Sequence, residues 1–342
     1  MKFDINNLDK TYIIAEMSAN HAGSMERAKE IIHKAKEAGA DCVKIQTYTP
    51  DTLTIDCHNE YFNIKNGTWE GENLYSLYGK AYTPWEWHAE IFHVAKEEGL
   101  VCFSTPFDKT AVDFLEDLNN PIYKIASFEI TDIPLIKYIA SKHKPIILST
   151  GIATEEDINL ALDTILGEGC NDITLLKCTS AYPAPIEDAN LLTMPDMKQR
   201  FGCKVGLSDH TEGAIVATAA VAMGAEVIEK HFIIDRSIGG PDAAFSMEEP
   251  DFKAMVDSIR LVEKAKGGVF YPTDPSKIKG RESSRSLYVA KDIKAGERFT
   301  EENVRSVRPG FGLHPKYLSE VLGKTAACDL EKGERFSLKM IK

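Results

Sequence analysis

Apolar and polar positions alternate in short bursts along the first three quarters of the chain, and a segment of helical period follows each burst. Runs at 12–16, 42–47, 100–105, 122–127, 145–150, 173–179, 204–208 and 227–231 predict strands. Helices are predicted after them at 25–38, 84–98, 109–118, 134–142, 155–166, 189–201, 214–223 and 250–266. Eight strand–helix units in a row predict an α/β fold, a (β/α)8 TIM barrel, with a doubly wound sheet as the alternative. Two loops are long for this scheme. One spans residues 48–83 and carries Trp69, Tyr75, Tyr78 and Tyr82; the other follows the eighth strand at 232–249. Loops after strands lie on the catalytic face of a barrel, so both are candidate walls of a substrate pocket. The plainer reading of the first is a surface elaboration or an oligomer contact.

The pattern changes after residue 266. Residues 267–286, with Gly267-Gly268, Pro272, Pro275 and a basic stretch ending at Arg285, read as a linker between a catalytic domain at 1–266 and a second domain at 287–342. The second domain holds an internal repeat. Ala290-Lys-Asp-Ile-Lys-Ala-Gly-Glu-Arg-Phe299 is echoed by Ala327-Cys-Asp-Leu-Glu-Lys-Gly-Glu-Arg-Phe336. Each copy combines a strand end, a glycine turn and a new strand, which predicts a small β-rich domain with a short helix at 315–322. Such a domain is marginal alone and is expected to lean on a partner surface.

Strand alternation turns charges toward the barrel axis. In Val43-Lys44-Ile45-Gln46 the apolar residues share one face, so Lys44 and Gln46 point inward. The same reasoning turns Lys124 and Lys177 inward, places Glu229 and His231 on the inner face with Val227, and ends the first strand on Glu16. A structural barrel interior is aliphatic, and unpaired charges there cost several kcal/mol each. A single strand-end lysine is ordinarily paired or snorkelling. Three, with Thr105, Ser127, Ser149, Thr179 and Ser208 nearby, point to a small, multiply charged anion such as phosphoenolpyruvate or a sugar phosphate.

Composition narrows the partners. A formal charge of −12 and a pI near 5.3 argue against nucleic acid but not against an anionic substrate. Seven cysteines without a C-x-x-C pair read as reduced thiols of a cytoplasmic protein. No run of 18 apolar residues and no N-terminal apolar leader is present in the sequence, so a secreted or membrane-spanning protein is not expected.

His210 and His231 stand just beyond the last two strands. A lone histidine in such a place is ordinarily structural; two at the ends of adjacent parallel strands predict a shared divalent cation with water or substrate completing its shell. His21 is a third candidate, with shaping of a turn as its plainer reading.

The motifs carry a resemblance. Ala15-Glu16-Met17-Ser18-Ala19-Asn20-His21, Val43-Lys44-Ile45-Gln46-Thr47, Phe103-Ser104-Thr105-Pro106 and Tyr123-Lys124-Ile125-Ala126-Ser127-Phe128-Glu129 resemble the sialic acid synthases. So do Leu148-Ser149-Thr150-Gly151, Cys178-Thr179-Ser180-Ala181-Tyr182-Pro183, Ser208-Asp209-His210-Thr211, Glu229-Lys230-His231-Phe232 and Arg308-Pro309-Gly310, so the match covers the whole chain. The resemblance implies a phosphoenolpyruvate-dependent nonulosonic acid synthase: a TIM barrel, a C-terminal antifreeze-like (SAF) domain, a divalent metal (Mn²⁺ first, Mg²⁺ or Co²⁺ as alternatives) and a domain-swapped homodimer.

By the same resemblance, His210 and His231 hold the metal. Lys44, Thr105, Lys124, Ser127, Ser149, Ser180 and Ser208 bind phosphoenolpyruvate, Ser180 standing where the family has Asn. Glu16, Asn20, Gln46, Tyr182, Asp242, Phe245 and, from a partner subunit, Arg308 face the sugar. Glu129, Glu229 and Lys124 are the candidates for proton handling, with metal support as the other role for the two glutamates. Met17-Ser18-Ala19, Thr68-Trp69-Glu70-Gly71 and Gly240-Pro241-Asp242-Ala243-Ala244-Phe245-Ser246 resemble the branch of the family that forms pseudaminic acid, whose acceptor is a diacetamido-trideoxy hexose. Trp69, Tyr75 and Phe245 are then expected to supply apolar surface for that sugar. The N-acetylneuraminate and legionaminate branches are the alternatives. A Schiff-base barrel aldolase and a non-enzymatic sugar- or ice-binding protein are more distant ones.

Overall fold

The computed structural model describes residues 10–342, and the chain divides after Gly267 into two compact units. In the first, eight strands run parallel in sequence order: β1 (Tyr12–Glu16), β2 (Cys42–Thr47), β3 (Val101–Pro106), β4 (Tyr123–Ile125), β5 (Ile146–Ser149), β6 (Ile173–Cys178), β7 (Lys204–Asp209) and β8 (Val227–Ile233). Pairing of β1 with β8, in register from Tyr12↔Val227 to Glu16↔His231, closes the sheet into a barrel. A two-residue strand, β9 (Met247–Glu248), adds to β8 in parallel.

Helices α1 (Met25–Glu37), α4 (His88–Glu97), α5 (Lys109–Asp117), α6 (Ile133–Ala140), α7 (Glu155–Gly167), α8 (Thr193–Phe201), α9 (Ile215–Ala222) and α10 (Glu249–Lys266) follow the eight barrel strands in turn, and α2 (Pro50–Leu53) and α3 (Leu74–Ala81) lie in the β2–α4 connection. Local chemistry starts and orients them. Ser24 caps α1 by accepting from Arg27 N, and Ala28, Ile31, Ile32 and Ala35 then recur at helical spacing on its buried face. Thr154 and Asp157 form a capping box at α7. Residues 48–83, expected as a plain loop, contain α2 and α3, the latter capped by Asn73. The α8 helix starts at Thr193 rather than at 189, because Asn190 takes a left-handed conformation (φ 43°) after a 3-10 turn at Ile186–Ala189.

Outward residues of the strands, among them Ile13, Val43, Ile45, Ile125, Leu175, Leu207 and Ile228, pack under the helices as one continuous shell. Inward residues at the lower end, Tyr12, Ile14, Cys42, Phe103, Ile122, Ile147, Leu176 and Val227, form a separate apolar plug. Gly206 belongs to that plug; a Cβ there would stand 2.3 Å from Val227 O and 2.7 Å from Leu176 Cδ2. One sequence expectation is corrected here. Lys177 shares the outward face of β6 with Leu175, beside α7 and α8 and not in the barrel, and its Nζ donates to Cys178 O and Thr179 Oγ1. It sits one residue out of phase with the inward Leu176 and Cys178.

The second unit is organised by its repeat. Strands β10 (Ser286–Val289) and β11 (Val304–Val307) pair antiparallel, and a 3-10 turn at Pro315–Tyr317 leads into α11 (Leu318–Val321). Ile293 and Leu330, equivalent in the two copies, exchange both backbone hydrogen bonds (2.9 and 2.8 Å). Asp329 accepts from Ala295 N and Asp292 from Lys332 N, both at 2.8 Å, so the two turns brace each other reciprocally. Phe299 and Phe336 meet edge to face at 5.0 Å within the core that includes Leu287, Val289, Val304 and Val321. A repeat in sequence has become a local twofold relation in space.

Candidate active site

Two residues above the plug, the same strand faces turn from apolar to charged. Glu16, Lys44, Lys124 and Glu229 all face the axis and are at most 5% exposed. Lys44 Nζ lies 2.7 Å from Glu16 Oε2 and 3.7 Å from Glu229 Oε1, and Lys124 Nζ lies 3.3 Å from the same Glu229 oxygen. Two cations thus alternate with two anions, which makes their burial tolerable. Neutral donors and acceptors complete the ring. Ser208 donates to Glu229 Oε1 (3.0 Å), Lys44 donates to Thr105 Oγ1 (3.3 Å), and Gln46 Nε2 donates to Glu16 Oε1 (3.0 Å) and Ser18 Oγ (2.9 Å).

The carboxyls differ in state. Burial raises Glu229, but Lys124 and then Lys44 outweigh it and hold this carboxyl at about 2, as a carboxylate. Burial keeps Glu16 above the ordinary range despite its pairing with Lys44. Glu129, beyond β4 in the turn Ser127–Glu129, is pushed up to about 7, mainly by burial, with Lys124 pulling the other way. Its Oε2 is buried without a hydrogen-bond partner, as are Glu229 Oε2 and Ser149 Oγ. Buried polar atoms left unmade in a native fold mark a place for something else.

Ser127 and Ser149 lie beside this ring at the ends of β4 and β5. Gly151 N donates to Ser127 Oγ at 2.6 Å, and a Cβ at Gly151 would fall 2.3 Å from Ser180 Oγ and 2.5 Å from Ser127 Oγ. Only glycine lets the three strand ends converge into one hydroxyl-lined cradle.

At the rim stand the two histidines, their ring centroids 5.4 Å apart. His210 Nδ1 donates to Thr179 O (2.9 Å), which fixes the tautomer and leaves Nε2 with the free lone pair. Burial, then the neighbouring His210, holds His231 well below the ordinary imidazole value, and its Nδ1 is buried without a partner. Among the described residues no group of three or more His, Cys, Asp and Glu gathers as a metal cage. Two buried imidazoles with room for other donors suit a labile divalent cation rather than a closed structural site.

Sequence reasoning missed what holds the pair in place. Lys230 and Asp209 point the other way from their histidine neighbours and form a buried ion pair at 2.7 Å. Lys230 Nζ also donates to Thr211 O (2.6 Å), and Asp209 Oδ1 accepts from Thr211 N and Oγ1. Their adjacency to the histidines in Ser-Asp-His and Glu-Lys-His was the available signal; opposite charges on neighbouring parallel strands pair when both face the same layer.

The long loops converge on the rim. Thr68 Oγ1 donates to Tyr182 O, and Trp69 Nε1 donates to Pro241 O (2.7 Å). Tyr182 lies 4.3 Å from His210, and Phe245 lies 5.1 Å from His231, between ring centroids. Asp242 Oδ2 accepts from Ala19 N (3.2 Å). Asn20 lies wholly beneath this surface, its amide nitrogen donating to Phe232 O and Ser246 Oγ, so it braces the last loop from below. His21 is also buried; its Nδ1 accepts from Gly23 N and its Nε2 meets Thr83 Oγ1, the contacts of a residue that shapes a turn. Two expectations are corrected. Tyr75 is not in the aromatic cluster, since its hydroxyl donates to Asp51 on the loop's own surface. Thr179 does not face the barrel; its hydroxyl donates to Asp188 O. Arg308 belongs to the second unit.

Comparison with known proteins bears on all of these features. The sequence matches the NeuB family over residues 31–271 and the SAF domain over residues 284–342. It is 51% identical over 331 residues to the pseudaminic acid synthase of Campylobacter jejuni subsp. jejuni serotype O:23/36, covering 97% of this chain and 96% of that one. It is 49% identical over 316 residues to the pseudaminic acid synthase of Helicobacter pylori, covering 92% and 93%. Among solved structures, the spore coat polysaccharide biosynthesis protein spsE of Bacillus subtilis superposes with a TM-score of 0.66 at 32% identity, over 99% of both chains. The chain belongs to the NeuB family, its barrel followed by a SAF domain.

Proposed function

We propose that the chain is an enzyme condensing phosphoenolpyruvate with 2,4-diacetamido-2,4,6-trideoxy-L-altrose, giving pseudaminic acid and phosphate. The observation that carries this reading is the buried Glu16–Lys44–Glu229–Lys124 ring beneath a pair of imidazoles, in a chain about half identical to pseudaminic acid synthases over nearly its whole length.

Lys44 and Lys124 bind the carboxylate and phosphate of phosphoenolpyruvate in a dry site, where each charge contact is stronger than in water. Ser127, Ser149, Ser180, Ser208 and Thr105 supply the short directional bonds that fix its orientation. Ser149 Oγ, buried without a partner, is a donor waiting for an acceptor. The sugar enters above, along Glu16, Gln46, Tyr182, Asp242 and Phe245, and the partner subunit's Arg308 completes its site in a domain-swapped homodimer. His210, through Nε2, and His231 would hold a divalent cation, Mn²⁺ in this reading. Bound there, such an ion would supply Lewis-acid polarisation of the sugar aldehyde.

The reaction joins C3 of phosphoenolpyruvate to the aldehyde carbon, adds water at C2 and breaks the C2–O bond to release phosphate. Glu129, at about 7, can give and take a proton near neutral pH. Glu229, at about 2, stays ionised and orients Lys44, Lys124 and Ser208. Two carboxyls in one pocket, driven apart by their surroundings, thus take different roles.

Phosphate release from phosphoenolpyruvate with Mn²⁺ tests this, comparing the altrose derivative, N-acetylmannosamine and the legionaminic precursor. Release with the altrose derivative alone, abolished by EDTA, supports both reaction and branch. Release mainly with another sugar moves the chain to that branch, and no release with any sugar overturns the assignment.

A further inference from the structure

We infer that Trp69 is a specificity-determining residue: it closes an aromatic wall above the histidine pair that accepts a deoxygenated, methyl-bearing sugar and rejects a hydroxyl-rich one. The inference rests on the sugar reading above and goes beyond it to the element that makes the choice.

Three rings from three different loops form the wall. Trp69 lies 5.6 Å from Tyr182 and 5.9 Å from Phe245, and Tyr182 lies 5.1 Å from Phe245, between centroids. Tyr182 and Phe245 in turn flank His210 and His231. A sugar whose aldehyde sits at the histidines therefore extends its far end along these rings. Trp69 meets both of the other rings, and its orientation is fixed from both sides. Its indole N–H is occupied by Pro241 O, and the preceding Thr68 hydroxyl by Tyr182 O.

That anchoring decides the chemistry of the wall. With its single polar hydrogen engaged, the indole presents only ring carbons to the pocket, and indole has no acceptor. Methyl groups, whether of a 6-deoxy carbon or of an acetamido group, pack against such faces favourably. A hydroxyl in the same place sheds its water and finds no partner. An apolar wall discriminates against one added hydroxyl by roughly a hundredfold at most, so one ring of three is expected to carry about a tenfold share.

The test measures kcat/KM of the wild type, W69A and W69F at saturating phosphoenolpyruvate, with the diacetamido-trideoxy sugar and with N-acetylmannosamine. For W69A the trideoxy sugar should lose about tenfold or more, through KM, while N-acetylmannosamine holds or improves. The KM for phosphoenolpyruvate should stay within about twofold. W69F keeps a ring but loses the anchoring N–H, and should fall between wild type and W69A in discrimination. An equal fall with both sugars in both variants, or an unchanged ratio, overturns the assignment, because a merely structural loop contact moves both substrates alike. A wild type that prefers N-acetylmannosamine overturns the sugar reading instead, and the change in ratio on W69A still decides whether Trp69 discriminates.

Discussion

The lower and upper halves of the barrel interior are built by the same strands on the same inward faces, two residues apart. On β1, Ile14 precedes Glu16; on β2, Cys42 precedes Lys44; on β8, Val227 precedes Glu229. The lower half is an apolar plug that removes hydrocarbon from water and tolerates no charge. The upper half buries four charges, whose mutual pairing does little more than offset the cost of their dehydration. Position along the strand separates stability from function. The plug is where the barrel gains free energy, and the ring above it is where that gain is partly given up to bury charge.

The contrast can be broken most sharply at the rim. His210→Ala or His231→Ala should cut turnover on the order of a thousandfold or more while barely moving the melting temperature, since both sit above the plug. Full activity in both variants, assayed after EDTA treatment and Mn²⁺ addition, would sink the metal assignment.

Next come two substitutions of comparable thermodynamic size and opposite functional meaning. Lys124→Ala strips Glu229 of its nearest cation and should cost about 3–5 kcal/mol of unfolding free energy together with phosphoenolpyruvate binding. Ile147→Ala hollows the plug and should cost about 2–5 kcal/mol while leaving KM for phosphoenolpyruvate unchanged where the protein remains folded. Urea titrations and substrate kinetics on both variants check this; a plug variant that loses phosphoenolpyruvate affinity erases the distinction.

Glu129 sharpens the comparison through pH. Its carboxyl stands at about 7 in the fold against an ordinary 4.5. Between those values the folded chain binds more protons than the unfolded one, so this group lowers stability as pH rises through the window. Glu129→Gln should therefore gain stability over wild type at pH 8, by at most about 3 kcal/mol, and none at pH 4. An equal difference at both pH values means that the carboxyl does not titrate there.

The smallest effect concerns the brace behind the histidines. Asp209→Asn leaves Lys230 with a weaker partner and should reduce Mn²⁺ affinity about 10–100-fold, read by calorimetry on the metal-free protein. An unchanged affinity would make the pair a packing feature alone.

Much of this architecture was legible in advance. Strand positions, the inward set of Glu16, Lys44, Lys124, Ser208, Glu229 and His231, and the repeat of the second unit follow from local periodicity, which is written residue by residue. Lys177 was misread because both faces of its strand are buried: Ile173, Leu175 and Leu176 put apolar residues on both, leaving the single polar Thr174 to mark the phase. Residues 48–83 hid α2 and α3 because both are short, set by caps and turns rather than by a long stripe.

By itself, then, the sequence determined the barrel, the chemistry stored on its strand ends and the pairing of two histidines across adjacent strands, because all three depend on patterns of period two or 3.6. Only the tertiary structure decided which charges neutralise one another, which of the two glutamates stays ionised, that Lys230 and Asp209 lock the rim from behind, and that Trp69 rather than Tyr75 joins the aromatic wall. These are contacts between residues some twenty to 170 positions apart. Their energies depend on burial and distance in three dimensions, and no local pattern encodes either.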